Sequence, residues 1–168
     1  MKFNFFSIFR LGNENAEIIR ISEPIKSTWA KEKNLNLNDL LSDGPYKEKY
    51  RKDMIIWSDE RRAEDYGIFC REASNEISKP TVIVSDIRRK TDIQWFRETF
   101  GKKIKLIRIK CDDGIRIDRG WKFQEGVDDI QSECDLDDWL EWDLIVNNDG
   151  QVQPDEILCE VSKLLWFF

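Results

Sequence analysis

Short apolar runs rich in β-branched residues alternate along this chain with longer stretches of helical period. That alternation restricts the fold more than any other property. IIRIS (Ile18–Ser22), TVIVSD (Thr81–Asp86), IKLIRIK (Ile104–Lys110) and DLIVNN (Asp143–Asn148) have strand length and strand composition. Between and after them lie helical patterns over Glu23–Glu32, Asn36–Leu41, Tyr46–Ala63, Tyr66–Ile77, Asp92–Phe100 and Pro154–Phe167. Strands separated by helices pair in parallel, because a crossover leaves no room for a hairpin. Parallel sheets are covered on both faces, which predicts an α/β fold of three layers. Ligands of such sheets sit beyond the carboxyl ends of the strands, so the polar residues that follow each apolar run carry the most information.

The chain has 168 residues, 40% of them hydrophobic, which suffices for one domain over 1–168 with a real core. No repeat, low-complexity tract or linker divides it. A net charge of −6 argues against general nucleic-acid binding. Histidine is absent, which excludes Ser–His and Cys–His catalysis and His-ligated metals. The four cysteines, Cys70, Cys111, Cys134 and Cys159, form no CxxC and read as free thiols of a reducing compartment. No apolar run reaches 18 residues, so no membrane span is expected. MKFNFFSIF is too short an apolar stretch for a signal peptide and reads as part of a helix or strand. The ending LLWFF is not a peroxisomal SKL-type signal, leaving the cytoplasm as the expected location.

Four constellations stand out. In VSDIRR, Asp86 closes a hydrophobic run as a Walker B carboxylate does, where it helps hold magnesium. Arg88 and Arg89 follow, and guanidinium forks match phosphate oxygens. The alternative is that Asp86 caps a helix and the arginines pair with surface acids. On the long helix, Lys47, Arg51 and Arg62 fall on roughly one face and suit a small polyanion. Alternatively that face is solvated, with partners such as Glu48 and Glu60. The polar stretch Asp112–Gly126 holds Arg116 and Arg119 beside Gly120, as a mobile lid does, and equally reads as a plain surface loop. Finally, Gly126–Asp143 is rich in acids but fails the EF-hand spacing, and reads as a mostly solvated, partly helical segment with Trp139 and Trp142 packed inward.

Taken together, YRKDMIIW (Tyr50–Trp57), VSDIRR (Val84–Arg89), DIQWFRE (Asp92–Glu98), RGW (Arg119–Trp121) and GVDDIQSECDLD (Gly126–Asp137) resemble the animal-type phosphomevalonate kinase family. The resemblance runs from near Ile18 to the C-terminal helix. It implies a P-loop fold shaped like nucleoside monophosphate kinases. It implies transfer of the γ-phosphoryl group of Mg-ATP to 5-phosphomevalonate, giving 5-diphosphomevalonate and ADP on the route to isoprenoids and sterols, by a monomer. By matching motif, Lys26, Lys47, Arg51 and Arg62 correspond to substrate-side cations. Arg88 and Arg89 correspond to the pair on the acceptor phosphate, and Asp86 to the magnesium-holding acid. Arg108, Arg116 and Arg119 correspond to strand and lid arginines near the ATP phosphates. Asn148, on the substrate side, and Asp149, beside the nucleotide, fall on the loop after the last strand.

The chain carries no GxxxxGK[ST]. In the family a strand, a P-loop and a first helix precede Ile18; here MKFNFFSIFRLGNENAE stands in that place, with Phe9–Gly12 resembling the tail of that helix. The missing strand is central in this fold, between the strands of Thr81–Asp86 and Ile104–Lys110, and Met1–Phe9 is apolar enough to fill part of the gap. The expectation is therefore a kinase relative that is inactive as written. The alternatives are a non-catalytic relative that still binds phosphomevalonate, and an α/β anion-binding domain of another pathway.

Overall fold

The computed structural model describes residues 15–42, 44–150 and 152–165. Met1–Phe9 and Phe9–Gly12, predicted above as gap-filling strand and helix tail, lie outside these residues. The chain divides into two compact units: residues up to Ile87 together with Thr91–Trp95, and Arg88–Lys90 together with the residues from Phe96 onward.

In the first unit, β1 (Ala16–Ile19) pairs in parallel with β2 (Thr81–Val84), Ala16 opposite Thr81 and Ile19 opposite Val84. The crossover between them consists of four helices: α1 (Ser22–Lys33), α2 (Leu37–Leu41), α3 (Pro45–Glu64) and α4 (Ile68–Ser74). Pro45 opens α3 at a position that needs no backbone N–H, and no Pro or Gly interrupts its 20 residues. Asn36 caps α2 by accepting from Asn38 N at 3.0 Å. The helix α1 packs against α2, α3 and α4. Trp29 meets Trp57 edge-on at 5.5 Å between ring centroids, and Trp57 meets Phe69 at 5.8 Å. Leu40, Met54, Cys70 and Ile93 are also buried in this unit. Side chains of this size are each worth roughly 1.5–3 kcal/mol when fully buried. Gly67 is required for space: a Cβ there would stand 2.1 Å from the Trp95 ring.

In the second unit, β3 (Ile107–Lys110) pairs in parallel with β4 (Leu144–Asn147), Ile107 opposite Leu144 and Lys110 opposite Asn147. The pairing is started by Asp143, whose side chain accepts from Leu106 N at 2.7 Å while its own N–H reaches Leu106 O at 2.9 Å. The helix α5 (Lys90–Phe100) crosses the boundary between the units and ends on Gly101, whose φ of 61° opens a 3-10 turn over Gly101–Lys103. Beyond β3 come α6 (Asp113–Asp118), α7 (Gln131–Cys134) and, after β4, α8 (Pro154–Leu165). Phe96, Leu106 and Val146 are buried.

The α/β class and the parallel pairing agree with the sequence reading; each unit holds a two-stranded sheet. Three boundaries differ most. The first strand ends at Ile19 rather than Ser22, because the N–H groups of Ile21 and Ser22 are taken by a carboxylate and begin a helix instead. The third starts at Ile107 rather than Ile104, which closes the 3-10 turn through its N–H to Gly101 O. The helix expected over Tyr66–Ile77 is only Ile68–Ser74, since Asp65 accepts from Gly67 N at 3.0 Å and fixes a turn there. The acidic stretch is partly helical, as expected, over Gln131–Cys134. No described helix is long and apolar enough to cross a membrane.

Candidate functional site

In the first unit the residues of interest lie on β2, α1 and α3. Asp86 follows β2, and both its oxygens accept backbone N–H groups: Oδ1 from Ile21 at 2.8 Å and Oδ2 from Ser22 at 2.9 Å. It thus caps α1 from 64 residues away, the alternative its place in the sequence left open, and its charge suits the positive end of the helix dipole. On α3, Arg51 lies against Glu48 at 3.5 Å, and Lys47 is half-buried one turn earlier. Arg62 turns inward. Its side chain is 9% exposed, and Nη1 lies 2.5 Å from Oδ1 of Asp92, itself 2% exposed. The guanidinium also lies over the Phe69 ring at 5.3 Å, while its Nε is buried without a partner. Cys70 Sγ approaches the same Asp92 oxygen at 3.5 Å. Burial first, and then the Asp92 charge, push this thiol far above its ordinary value of 9.0, so it stays protonated. Lys26 is half-buried on α1.

In the second unit, Arg88 and Arg89 occupy the loop that leads into α5. Arg88 is half-exposed and pairs with Glu133 of α7. Next to it, Lys90 N donates to Asp135 Oδ2 at 2.8 Å, and Lys90 Nζ reaches Asp138 at 2.7 Å. That hydrogen bond raises the Lys90 ammonium above its ordinary value and holds the Asp138 carboxyl below its own. The same acidic segment takes two further cations. Arg108 of β3 donates to Leu136 O at 2.6 Å and to Asp137 at 2.9 Å while lying over Trp142 at 5.4 Å. Arg97 lies over Trp139 at 5.1 Å and pairs with Glu141 at 2.7 Å. The segment is exposed or half-buried throughout, as expected, and its acids also form a belt of surface ion pairs.

A third group forms where β3 and β4 end. Arg119 Nη1 donates to Asn148 O at 2.8 Å and approaches Cys111 Sγ at 3.4 Å. Asp149 Oδ1 accepts from Asp112 N at 2.8 Å. This bond first, with hydrogen bonds to Asn147 and Cys111 and the charge of Arg119, holds the Asp149 carboxyl below its ordinary 3.8. An open depression of about 390 Å³ beside them is lined by Lys110, Cys111, Asp112, Ile145, Asn147 and Asp149. Arg116 lies over Trp121 at 3.8 Å and pairs with Asp113 at 3.0 Å. The stretch Asp112–Gly126 is helical in its first half, with Asp112 accepting from Gly114 N at 2.8 Å as the cap.

The structure thus brings Arg119, Asn148 and Asp149 to one corner, and Arg88 and Arg89 to one loop. Arg108 goes instead to the acidic segment. Arg62 belongs to the first unit, whereas Arg88, Arg89 and Arg119 belong to the second. Among the described residues no three acids or thiols converge as metal ligands do. Sequence reasoning missed Asp92, Glu133, Asp135 and Asp138. Asp92 was detectable: it stands four residues before buried Phe96 and next to buried Ile93, so an acid occupies the apolar stripe of α5. The three others lack any such signal.

A parallel α/β chain with arginines gathered after its strands is of the class that handles anionic small molecules. Residues 6–102 match the family model described as phosphomevalonate kinase. A phosphomevalonate kinase of Drosophila melanogaster is 51% identical over 161 residues, covering 92% of this chain and 85% of the fly protein. The chain belongs to the phosphomevalonate kinase family, whose members are phosphotransferases.

Proposed function

We propose that this chain binds 5-phosphomevalonate and serves its phosphorylation by Mg-ATP. The γ-phosphoryl group passes to a phosphate oxygen of the substrate; the bond from that phosphorus to the ATP bridging oxygen breaks, and ADP leaves. The observation that carries this reading is the 51% identity to the fly enzyme across 92% of the chain. The acceptor is already an anionic phosphate, so no strong general base is needed, and a chain without histidine suffices. The work lies in bringing anions together and neutralising them.

In this reading Arg88 and Arg89 hold the acceptor phosphate, and Lys26, Lys47, Arg51 and Asn148 hold the remainder of the substrate. Arg62 shapes that side from within, its charge balanced by Asp92. Arg116 and Arg119 neutralise the ATP phosphates from the Asp112–Gly126 lid, with Arg108 and Asp149 supporting the nucleotide side. Each Asp86 oxygen keeps one lone pair beyond its backbone amide, which fits a magnesium-bound water. Magnesium held there would supply charge neutralisation of the phosphates. We assign the two units to a single kinase domain with the three-layer P-loop architecture, acting as a cytoplasmic monomer.

These 168 residues contain no GxxxxGK[ST] to cradle the β- and γ-phosphates. The purified 168-residue chain is therefore expected to bind 5-phosphomevalonate in calorimetry and to release ADP very slowly in a coupled assay. Absence of substrate binding refutes the assignment; normal turnover refutes the requirement for the loop.

A further inference from the structure

Three contacts from one acidic segment fall on two residues of one loop, Arg88 and Lys90. Glu133 engages the Arg88 guanidinium, Asp135 accepts the Lys90 backbone N–H at 2.8 Å, and Asp138 holds the Lys90 ammonium at 2.7 Å. The segment is itself tied to the sheet, since Arg108 of β3 donates to Leu136 O and to Asp137. Within it, Cys134 Sγ reaches Asp128 O at 3.3 Å, and Asp135 N donates to Gln131 O at 2.9 Å. A connected path therefore runs from β3 through Arg108 and the acidic segment to the Arg88–Lys90 loop, all within the second unit.

We propose that Glu133 is a positioning residue for substrate binding, orienting Arg88 for the acceptor phosphate while Asp135 and Asp138 fix the loop that carries it. This rests on the assignment of Arg88 to that phosphate. Arginine has five N–H donors in a planar fork. A carboxylate on one edge leaves the opposite edge for phosphate oxygens, and the Arg88 side chain remains 52% exposed. A long side chain that is free in solution loses rotamer freedom when it grips an anion. The ion pair removes that freedom beforehand, which tightens binding. A carboxylate acting only as a stand-in for the phosphate would compete with it and would need one contact. Here the anchoring extends to the backbone and side chain of Lys90, as a support does.

Calorimetry with 5-phosphomevalonate on the 168-residue chain tests this. Glu133→Ala is expected to weaken binding roughly tenfold, and Glu133→Gln, which keeps an acceptor oxygen, to recover most of that loss. In an Arg88→Ala background Glu133→Ala is expected to add nothing, because its effect passes through Arg88. The thermal midpoint of Glu133→Ala should stay within about 3 °C of the parent, which separates positioning from folding. Tighter binding by Glu133→Ala, or an equal loss with and without Arg88, overturns the proposal while leaving the substrate assignment intact. A parent chain that binds no 5-phosphomevalonate overturns both. Hydrogen exchange supplies a readout independent of substrate: Asp135→Ala should lose protection at the Lys90 amide, and unchanged protection refutes the anchoring of the loop.

Discussion

Arg62 and Arg88 are both arginines held by a carboxylate, but their surroundings are opposite. Arg62 is 9% exposed, its partner Asp92 is 2% exposed, and Phe69 lies against its guanidinium face. Arg88 is 52% exposed and its partner Glu133 is 23% exposed. In the first unit the charge is part of the core; in the second it is open to a ligand. Removing one member of a buried pair strands the other in low dielectric, which costs far more than the pair contributes. An exposed pair contributes about 0–1 kcal/mol to stability, and its value lies in where it aims the cation.

The largest expected effect therefore belongs to Asp92→Ala, which leaves Arg62 buried and unpaired. Urea unfolding should show a loss of about 3–5 kcal/mol. A loss under about 1 kcal/mol would remove the contrast between the two arginines. Next comes Gly67→Ala, which forces a methyl group toward the Trp95 ring and should cost about 1–3 kcal/mol in the same experiment. Wild-type stability after this change would mean that Trp95 moves aside freely. Smaller still in stability, Arg88→Ala should shift unfolding by no more than about 1 kcal/mol. It should weaken 5-phosphomevalonate binding far more than Lys102→Ala does, Lys102 lining a separate depression with Arg97, Lys105 and Asp143. Equal effects of the two would break the assignment of the acceptor loop.

The smallest effect concerns pH. Asp149 titrates below its ordinary 3.8 in the folded chain, so the unfolded state binds its proton first as the solution becomes acid. Its contribution is fully present above that ordinary value and is lost as pH falls through the lower folded value. Asp149→Asn should flatten the acid limb of a stability–pH profile and leave the neutral and alkaline region in shape. Cys70 has the opposite sign: its raised value means a contribution present below 9.0 and lost as pH climbs beyond it. The native chain should show no thiolate reactivity at Cys70 at neutral pH, whereas exposed Cys159 labels readily.

Local signals made much of the scaffold legible. The helix α3 was readable to within a residue or two, because Pro45 opens it and neither Gly nor Pro interrupts the pattern. Strand positions were readable from β-branched runs, and parallel pairing from the helices between them. What escaped were partners distant in sequence. Arg62 shares a helical stripe with Lys47 and Arg51, and nothing within α3 reveals that it turns inward to an acid 30 residues later. Asp86 carried two readings in the sequence, metal holder and helix cap, and the capped amides lie on an element 64 residues earlier. The acidic stretch was legible as exposed, but not its partners, because Arg88, Lys90, Arg97 and Arg108 lie on other elements. Lone pairs and fork donors are shared across such distances, and periodicity within a window does not record them.

The seat of Asp86 has one more consequence. Its two oxygens rest on the opening amides of α1, so whatever alters that carboxylate, whether a proton, a cation or an amide in its place, is felt at the mouth of a different helix. The Ile21 and Ser22 N–H groups are thus a built-in gauge: their solvent exchange registers an event at the end of β2 without any probe being attached there.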